Sequence, residues 1–268
     1  MANQQTETIG WALVTGASSG IGAEFAKQVA SRNYDVVLVA RRLDRLESLA
    51  QEIKSSTGRS VVTVALDLSE PNSVAKLMES LISRSIEIAL LFNNAGYGTN
   101  GEFCELDLER EVRMVDLNCR SLVALSHWVA TTMKRKRRGT ILHTASLGGL
   151  SPTPFYTTYG ATKAFIVSFS EALAEELRPY NVRVYTVCPG VTESEFSATS
   201  GFRGKTPPKF GFQTSAEVAR EAIRAIGGRT SLVITGRHNR AAAWAMRFIP
   251  RSWALRAAGA AMRPISAD

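Results

Sequence analysis

Tyr159 and Lys163 stand four residues apart in the run Thr158-Tyr159-Gly160-Ala161-Thr162-Lys163. On an α-helix that spacing puts a phenol and an ammonium on one face, one turn apart. A free phenol titrates near pH ~10, so at neutral pH it is a reluctant proton donor or acceptor. A fixed cation beside it favours the phenolate and draws its pKa toward the working range. The pair alone is common in helical proteins, and its meaning depends on its surroundings. Ser146 precedes it, with only the loop through Pro152 and Pro154 between them.

Those surroundings are an alternation of short apolar runs and amphipathic segments. Strands are expected at 11–15, 35–40, 61–65, 88–92, 140–144, 183–187 and 232–234. Their mostly unbroken apolar character suits a parallel sheet covered on both faces. Helices fall between them. One is 43–54, with Leu43, Leu46, Leu49, Ala50 and Ile53 on a single stripe; another opens near Pro71 with Ser69 as its cap. The expected fold is α/β: a Rossmann-type, doubly wound, three-layer sandwich around seven parallel strands. Ligands of such sheets sit outside the carboxyl ends of the strands.

The first strand runs into Thr15-Gly16-Ala17-Ser18-Ser19-Gly20-Ile21-Gly22 and then a helix. Glycines there permit a tight turn, close approach of backbone N–H groups to phosphate, and close helix–strand packing. Ser18 and Ser19 add hydroxyls. The spacing is G-x-x-x-G-x-G, and its place between strand and helix makes the phosphate reading strong. The second strand ends Val39-Ala40-Arg41-Arg42, and the first acid after it is Asp44. A carboxylate at that strand end would grip the ribose hydroxyls of NAD; an arginine fork pairs with a 2′-phosphate. NADP(H) is therefore the expected cofactor, with Arg41 as the main contact. Asp67 and Leu68 follow the third strand, where Asp67 can accept from the adenine amino group. Asn94, Ala95 and Gly96 follow the fourth and suit close backbone contact.

The chain has 268 residues, 45% of them hydrophobic, which suffices for a large core in one domain. Cys104, Cys119 and Cys188 show no paired spacing, which fits reduced thiols in a cytoplasm and no metal site. The first ten residues are polar and lack the apolar core of a signal peptide. The five cations 134–138 close an expected helix, with Gly139 as its cap; this reading is preferred to a nucleic-acid patch.

Taken together, Thr15 to Gly22, Asp67, Asn93 to Gly96, Asn118, Ser146, Tyr159 with Lys163, and Pro189-Gly190-Val191-Thr192 resemble the short-chain dehydrogenase/reductase family of single-domain type. The elements occur in the family's order and cover about residues 10–235; the tail resembles that of the family's DltE-like group. The resemblance implies that Tyr159 is the proton donor in carbonyl reduction, or the base in alcohol oxidation. It implies that Lys163 holds the nicotinamide ribose and lowers the Tyr159 pKa, and that Ser146 orients the substrate oxygen. Asn118 would hold a water linking Lys163 to solvent, while Thr192 and the Val191 backbone would hold the carboxamide. Many NADP-preferring members carry a base where this chain has Ser19, which leaves more of the selectivity to Arg41. The resemblance also implies a homodimer or homotetramer.

Residues 193–213 are irregular and are expected to lie over the active site. Their Phe196, Phe202, Phe210 and Phe212 point to an apolar, acyl-chain, steroid-like or other lipid-like ketone. Beyond the domain at 1–236 lies an extension at 237–268. Between 231 and 268 there are six arginines against one acid, Asp268, interleaved with Trp244, Phe248, Ile249, Trp253 and Leu255, and divided by Pro250. That composition fits peripheral contact with a membrane surface, and equally a helix packed on the subunit or across an oligomer interface. The expected activity is hydride transfer between nicotinamide and a ketone or secondary alcohol. The competing class is a non-catalytic NADP(H)-binding sensor or scaffold. The complete set Asn118, Ser146, Tyr159 and Lys163 argues against it, and nucleic-acid binding rests on charge alone.

Overall fold

The computed structural model describes residues 8–196, 200 and 212–263. The chain alternates β1 (Gly10–Thr15), α1 (Gly20–Ala30), β2 (Tyr34–Ala40), α2 (Leu43–Thr57), β3 (Val61–Ala65), α3 (Ser73–Ser83) and β4 (Ile88–Asn93). There follow α4 (Leu108–Val115), a single π-turn (Asp116–Arg120), α5 (Ser121–Lys136), β5 (Gly139–Thr144), α6 (Thr157–Leu177) and β6 (Val182–Cys188). The last elements are β7 (Thr192–Glu193), β8 (Gln213–Thr214), α7 (Ser215–Ala225), β9 (Leu232–Ile234), α8 (Arg237–Met246) and α9 (Arg251–Met262).

The main sheet has seven parallel strands in the order β3-β2-β1-β4-β5-β6-β9. Strand order reverses between β1 and β4, and the loops leaving those two strands splay apart to open a crevice. One face is covered by α1, α2 and α7, whose Phe25, Leu46 and Val218 are buried against Val14, Leu38 and Phe92. Phe25 stacks on Phe92 with ring centroids 3.8 Å apart. The other face buries Leu77 of α3, Leu125 of α5 and Leu177 of α6 against Leu13, Leu91 and Ile141. Burying each such side chain stabilises the fold by about 1.5–3 kcal/mol, which is why the apolar runs become central strands.

A polar strut crosses the second layer. His143 of β5 is fully buried, with Nε2 2.8 Å from Ser126 Oγ on α5 and Nδ1 2.7 Å from Ser170 Oγ on α6. Burial lowers its pKa to about 3, so the imidazole is neutral and ties β5 to both helices.

Several local expectations need correction. Helix α3 opens at Ser73 behind Asn72, which has φ +62°, rather than at Pro71. Ser69 is not its cap, because its N–H and hydroxyl both bind the Asp67 carboxylate. Leu43 is 45% exposed and does not join the α2 stripe. Arg137, at φ +52°, ends α5 in place of Gly139. Gly139 begins β5 instead, where a Cβ would meet Met133 Sδ at 2.2 Å.

The base of the 193–213 stretch is pinned, because β7 and β8 pair in parallel. Phe202 and Phe210 lie outside the described residues. Pro250 separates α8 from α9 as expected. The first turn of α8 is tied to the domain: Arg240 pairs with Glu221 at 3.2 Å, and Glu221 also accepts from the Gly236 N–H.

Candidate active site

The start of α6 carries both Tyr159 and Lys163, one turn apart. Lys163 is only 4% exposed, and its Nζ donates to the Thr144 carbonyl at the end of β5 at 2.8 Å. The same strand end leads to Ser146, whose hydroxyl accepts from the Gly148 N–H at 3.1 Å and stands near enough to Tyr159 to oppose the rise in its pKa. The strand thus aims its serine, and the helix its phenol, at one point. Gly149 packs this loop under α6: a Cβ there would lie 2.6 Å from the Lys163 carbonyl.

Electrostatics correct one expectation. Burial pushes the Tyr159 phenol up to about 12, against the opposing hydrogen bond from Ser146. Burial also lowers Lys163 to about 8. The ammonium lies 5.6 Å from the Tyr159 ring centroid and donates to the Thr144 carbonyl. A phenol in this state is protonated at neutral pH. The thiols nearby are inert, since burial raises the half-buried Cys119 to about 11 and the buried Cys188 to about 12.

Asn118 sits on the π-turn, not on a regular helix, and is buried. Its Nδ2 donates to the Tyr97 carbonyl and to Thr162 Oγ1, each at 3.0 Å, and its Oδ1 accepts from the Tyr97 N–H at 3.2 Å. The extra residue of the π-turn swings this amide toward the loop after β4. Gly96 is small for that reason: a Cβ would lie 2.9 Å from Asn118 Oδ1 and 3.5 Å from Lys163 Nζ. Asn118, Ser146, Tyr159 and Lys163 therefore converge as expected from the sequence.

The crevice between β1 and β4 holds the other group of residues. Gly16 has φ +66° and Gly20 φ +57°, and a Cβ at Gly22 would collide with the Gly16 carbonyl at 2.3 Å. Helix α1 opens there behind Ser19 without a side-chain cap, which leaves its first N–H groups directed at the crevice beside Ile21. Thr15, which sequence reasoning passed over, locks the facing loop by accepting from Asn94 N and Ala95 N at 2.9 Å each. Asn94 in turn donates to the Thr15 carbonyl and accepts from Thr144 Oγ1. Leu68 is buried beneath this edge. On the far side, Thr192 Oγ1 donates to the Gly190 carbonyl, and Val191 is exposed beside it. A Cβ on Gly190 would strike Asn239 of α8 at 2.5 Å, so the Pro189-Gly190 turn is backed by the tail.

Arg41 and Arg42 have different partners at the end of β2. Arg41 is largely exposed and lies 3.9 Å from Asp67. Arg42 turns inward: its Nη2 donates to Ser18 Oγ and Ser19 Oγ, each at 3.1 Å, and to Glu195 at 2.9 Å. Arg45 binds the other oxygen of Glu195, and hydrogen bonds from Arg45 and Arg42 hold that carboxyl down at about 2. Sequence reasoning placed Arg42 at the strand end but missed its pairing with Glu195, because the two are 153 residues apart. Asp67 is engaged within the protein; although burial opposes it, bonds from Ser69 with the charges of Arg41 and Arg113 hold its pKa low.

The mouth beside Tyr159 is apolar. Phe196 packs on the Tyr159 ring with centroids 5.3 Å apart, and a Cβ at Gly98 would lie 2.9 Å from both rings. The arrangement can present a protonated phenol and a hydroxyl to an oxygen reached through this mouth. A dinucleotide fits the glycine crevice, whose floor a single Cβ would fill.

Known proteins agree with this geometry. The short chain dehydrogenase family profile matches residues 10–202. A very-long-chain 3-oxoacyl-CoA reductase from Coccidioides immitis is 37% identical over 190 residues, covering 70% of this chain and 54% of that protein. The chain spans little more than half the length of several such relatives. A short-chain dehydrogenase from Sphingobium yanoikuyae, solved in complex with NADPH, superposes with a TM-score of 0.81 at 31% identity, covering 97% of this chain and 99% of the other. The bulky-bulky ketone specific alcohol dehydrogenase from Comamonas testosteroni gives 0.75 at 28% identity, covering 91% and 96%. With its parallel sheet, its serine–tyrosine–lysine cluster and this profile match in agreement, the chain belongs to the short-chain dehydrogenase family of oxidoreductases.

Proposed function

We propose that the protein is an NADPH-dependent reductase of a bulky, lipid-like ketone, with a 3-oxoacyl thioester as the leading substrate class. The observation that carries this reading is the convergence at the end of β5 of Ser146 with Tyr159 and Lys163, which stand one turn apart on α6, the Lys163 ammonium being held by the Thr144 carbonyl at 2.8 Å. The Phe196 and Gly98 mouth supports an apolar substrate, as do the names of the reductase from Coccidioides immitis and the ketone-specific enzyme from Comamonas testosteroni. Selectivity for NADPH is supported by Arg42 on Ser18 and Ser19, with Arg41 beside it and no acid at the end of β2. The Sphingobium neighbour was solved with the same cofactor.

The glycine crevice from Gly16 to Gly22, together with Arg41, Arg42, Asp67, Leu68, Asn94 to Gly96, Lys163 and Pro189 to Thr192, would hold the dinucleotide. When bound, the reduced nicotinamide supplies a hydride. Tyr159 gives its proton to the substrate oxygen as negative charge develops there. Ser146 orients that oxygen and stabilises the charge. Lys163, held by Thr144, places a cation behind the phenol as it ionises. Asn118 fixes the loop that borders Lys163. The hydride and the proton together convert the carbonyl to an alcohol. Tyr159→Phe tests the assignment: ketone-dependent NADPH oxidation should fall by at least ~10³-fold, while NADPH affinity changes by less than about threefold. Turnover retained in that variant would refute the role.

A further inference from the structure

The structure assigns a second job to the tail: α8, α9 and the turn between them form a surface for docking on an anionic lipid bilayer. Trp244, Phe248 and Trp253 are 64%, 71% and 69% exposed, and Ile249 beside them is also exposed. All four fall within residues 244–253. Trp244 and Phe248 pack edge to face at 4.9 Å, forming one apolar knob rather than scattered side chains. The same segment carries Arg237, Arg240, Arg247, Arg251, Arg256 and Arg263, all exposed. No acid occurs between 237 and 263. Among the described residues, only Arg240 of the six forms an ion pair.

Exposed indole and phenyl rings in a segment rich in guanidinium groups are complementary to the headgroup layer of a bilayer. The rings settle at the acyl boundary while the arginines reach lipid phosphates. A second copy of the chain is a poorer occupant. A two-fold interface sets the same patch against itself, and here that opposes arginine to arginine with no acid in the segment to neutralise them. No described helix is long and apolar enough to cross a membrane, so the tail lies on the surface.

The tail is also firmly placed. Asn239 fills the space above Gly190, a Cβ on Gly259 would touch Pro154 at 3.8 Å, and the Arg263 guanidinium lies 5.8 Å from the Phe155 ring centroid. Leu255 and Arg251 line a pocket with the 149–154 loop and the first turns of α6, which carry Tyr159. Docking would therefore set the mouth of the active site beside the bilayer. The further consequence, that a lipid-like substrate enters from it, rests on the function proposed above; the docking surface does not.

The test uses the full chain and vesicles of phosphatidylcholine, alone or with about a quarter phosphatidylglycerol. Co-sedimentation should be at least ~10-fold greater with the anionic vesicles and should collapse in high salt. Trp244→Ser/Phe248→Ser/Trp253→Ser and, separately, Arg247→Glu/Arg256→Glu should each cut binding by about tenfold or more. Both variants should keep their far-UV spectrum and NADPH affinity, since none of these side chains touches the crevice. Equal sedimentation with both vesicle types overturns the proposal. So does binding unchanged in both variants, or a concentration-dependent dimer that the triple variant abolishes, which would give the patch to a second copy. Soluble-ketone turnover, measured on the same preparation, separates failure of docking from failure of the catalytic reading.

Discussion

Lys163→Met is expected to yield a protein that melts higher than the parent at neutral pH and reduces no ketone. The lysine is buried, and its pKa falls from 10.5 to about 8. At about 1.4 kcal/mol per pKa unit, keeping the ammonium charged inside the fold costs about 3 kcal/mol. Methionine has similar length, carries no charge, and forfeits only the bond to the Thr144 carbonyl, worth about 1 kcal/mol net. The balance is a gain of about 2 kcal/mol, or roughly 4–8 °C in Tm for a domain of this size. The sign follows from proton counts. The unfolded chain keeps this proton up to pH ~10.5, while the folded one releases it near 8, so the penalty is full below 8 and fades as pH rises through 10.5. Melting both proteins by circular dichroism at neutral pH, near pH ~8.5 and near pH ~10 should show the gap closing with pH. A variant that melts lower at neutral pH, or a gap indifferent to pH, refutes the reasoning.

Asn118→Ala leaves the Tyr97 N–H and carbonyl and Thr162 Oγ1 without their partner; a loss of about 2–4 kcal/mol should appear in urea unfolding, together with reduced turnover. An unchanged midpoint would show that these bonds are not holding the loop. Arg42→Ala should raise KM for NADPH by roughly 5–30-fold and leave NADH within about twofold; equal losses for both cofactors would sink the selectivity argument. Glu195→Gln releases Arg42 and should lower KM for NADPH by a few-fold, whereas a rise would mean that Glu195 helps hold the cofactor. Gly98→Val drives methyl groups into Tyr159 and Phe196, so ketone turnover should drop at least ~10-fold with NADPH binding intact, as fluorescence titration would show.

The strands were legible because each is a short apolar run with turn residues on both sides. All seven appear within a residue of their expected ends, and Tyr159, Lys163, Ser146 and Asn118 meet as the motif order implied. What remained hidden depends on distance in sequence or on dielectric. Nothing local marks Glu195 as the partner of Arg42 and Arg45, or Gly190 as the seat of Asn239. Spacing put a cation near the Tyr159 phenol, but it could not show that burial would raise that phenol instead. The true opening of α3 was missed because Ser69 has a stronger competitor for its bonds in Asp67.

The π-turn between α4 and α5 has a consequence for how this chain can change over time. Each residue in an α-helix advances the face by about 100°. Deleting one residue from Asp116–Arg120 would let α4 and α5 fuse into one regular helix, with good backbone bonding throughout. The fused helix could keep Leu125 and Val129 against the sheet, or keep Met114 packed and Glu111 on Thr99, but not both. Asn118 would lose its aim in either case. At this joint, substitution is cheaper than a change of length, so gaps in an alignment of active homologues should avoid residues 116–120.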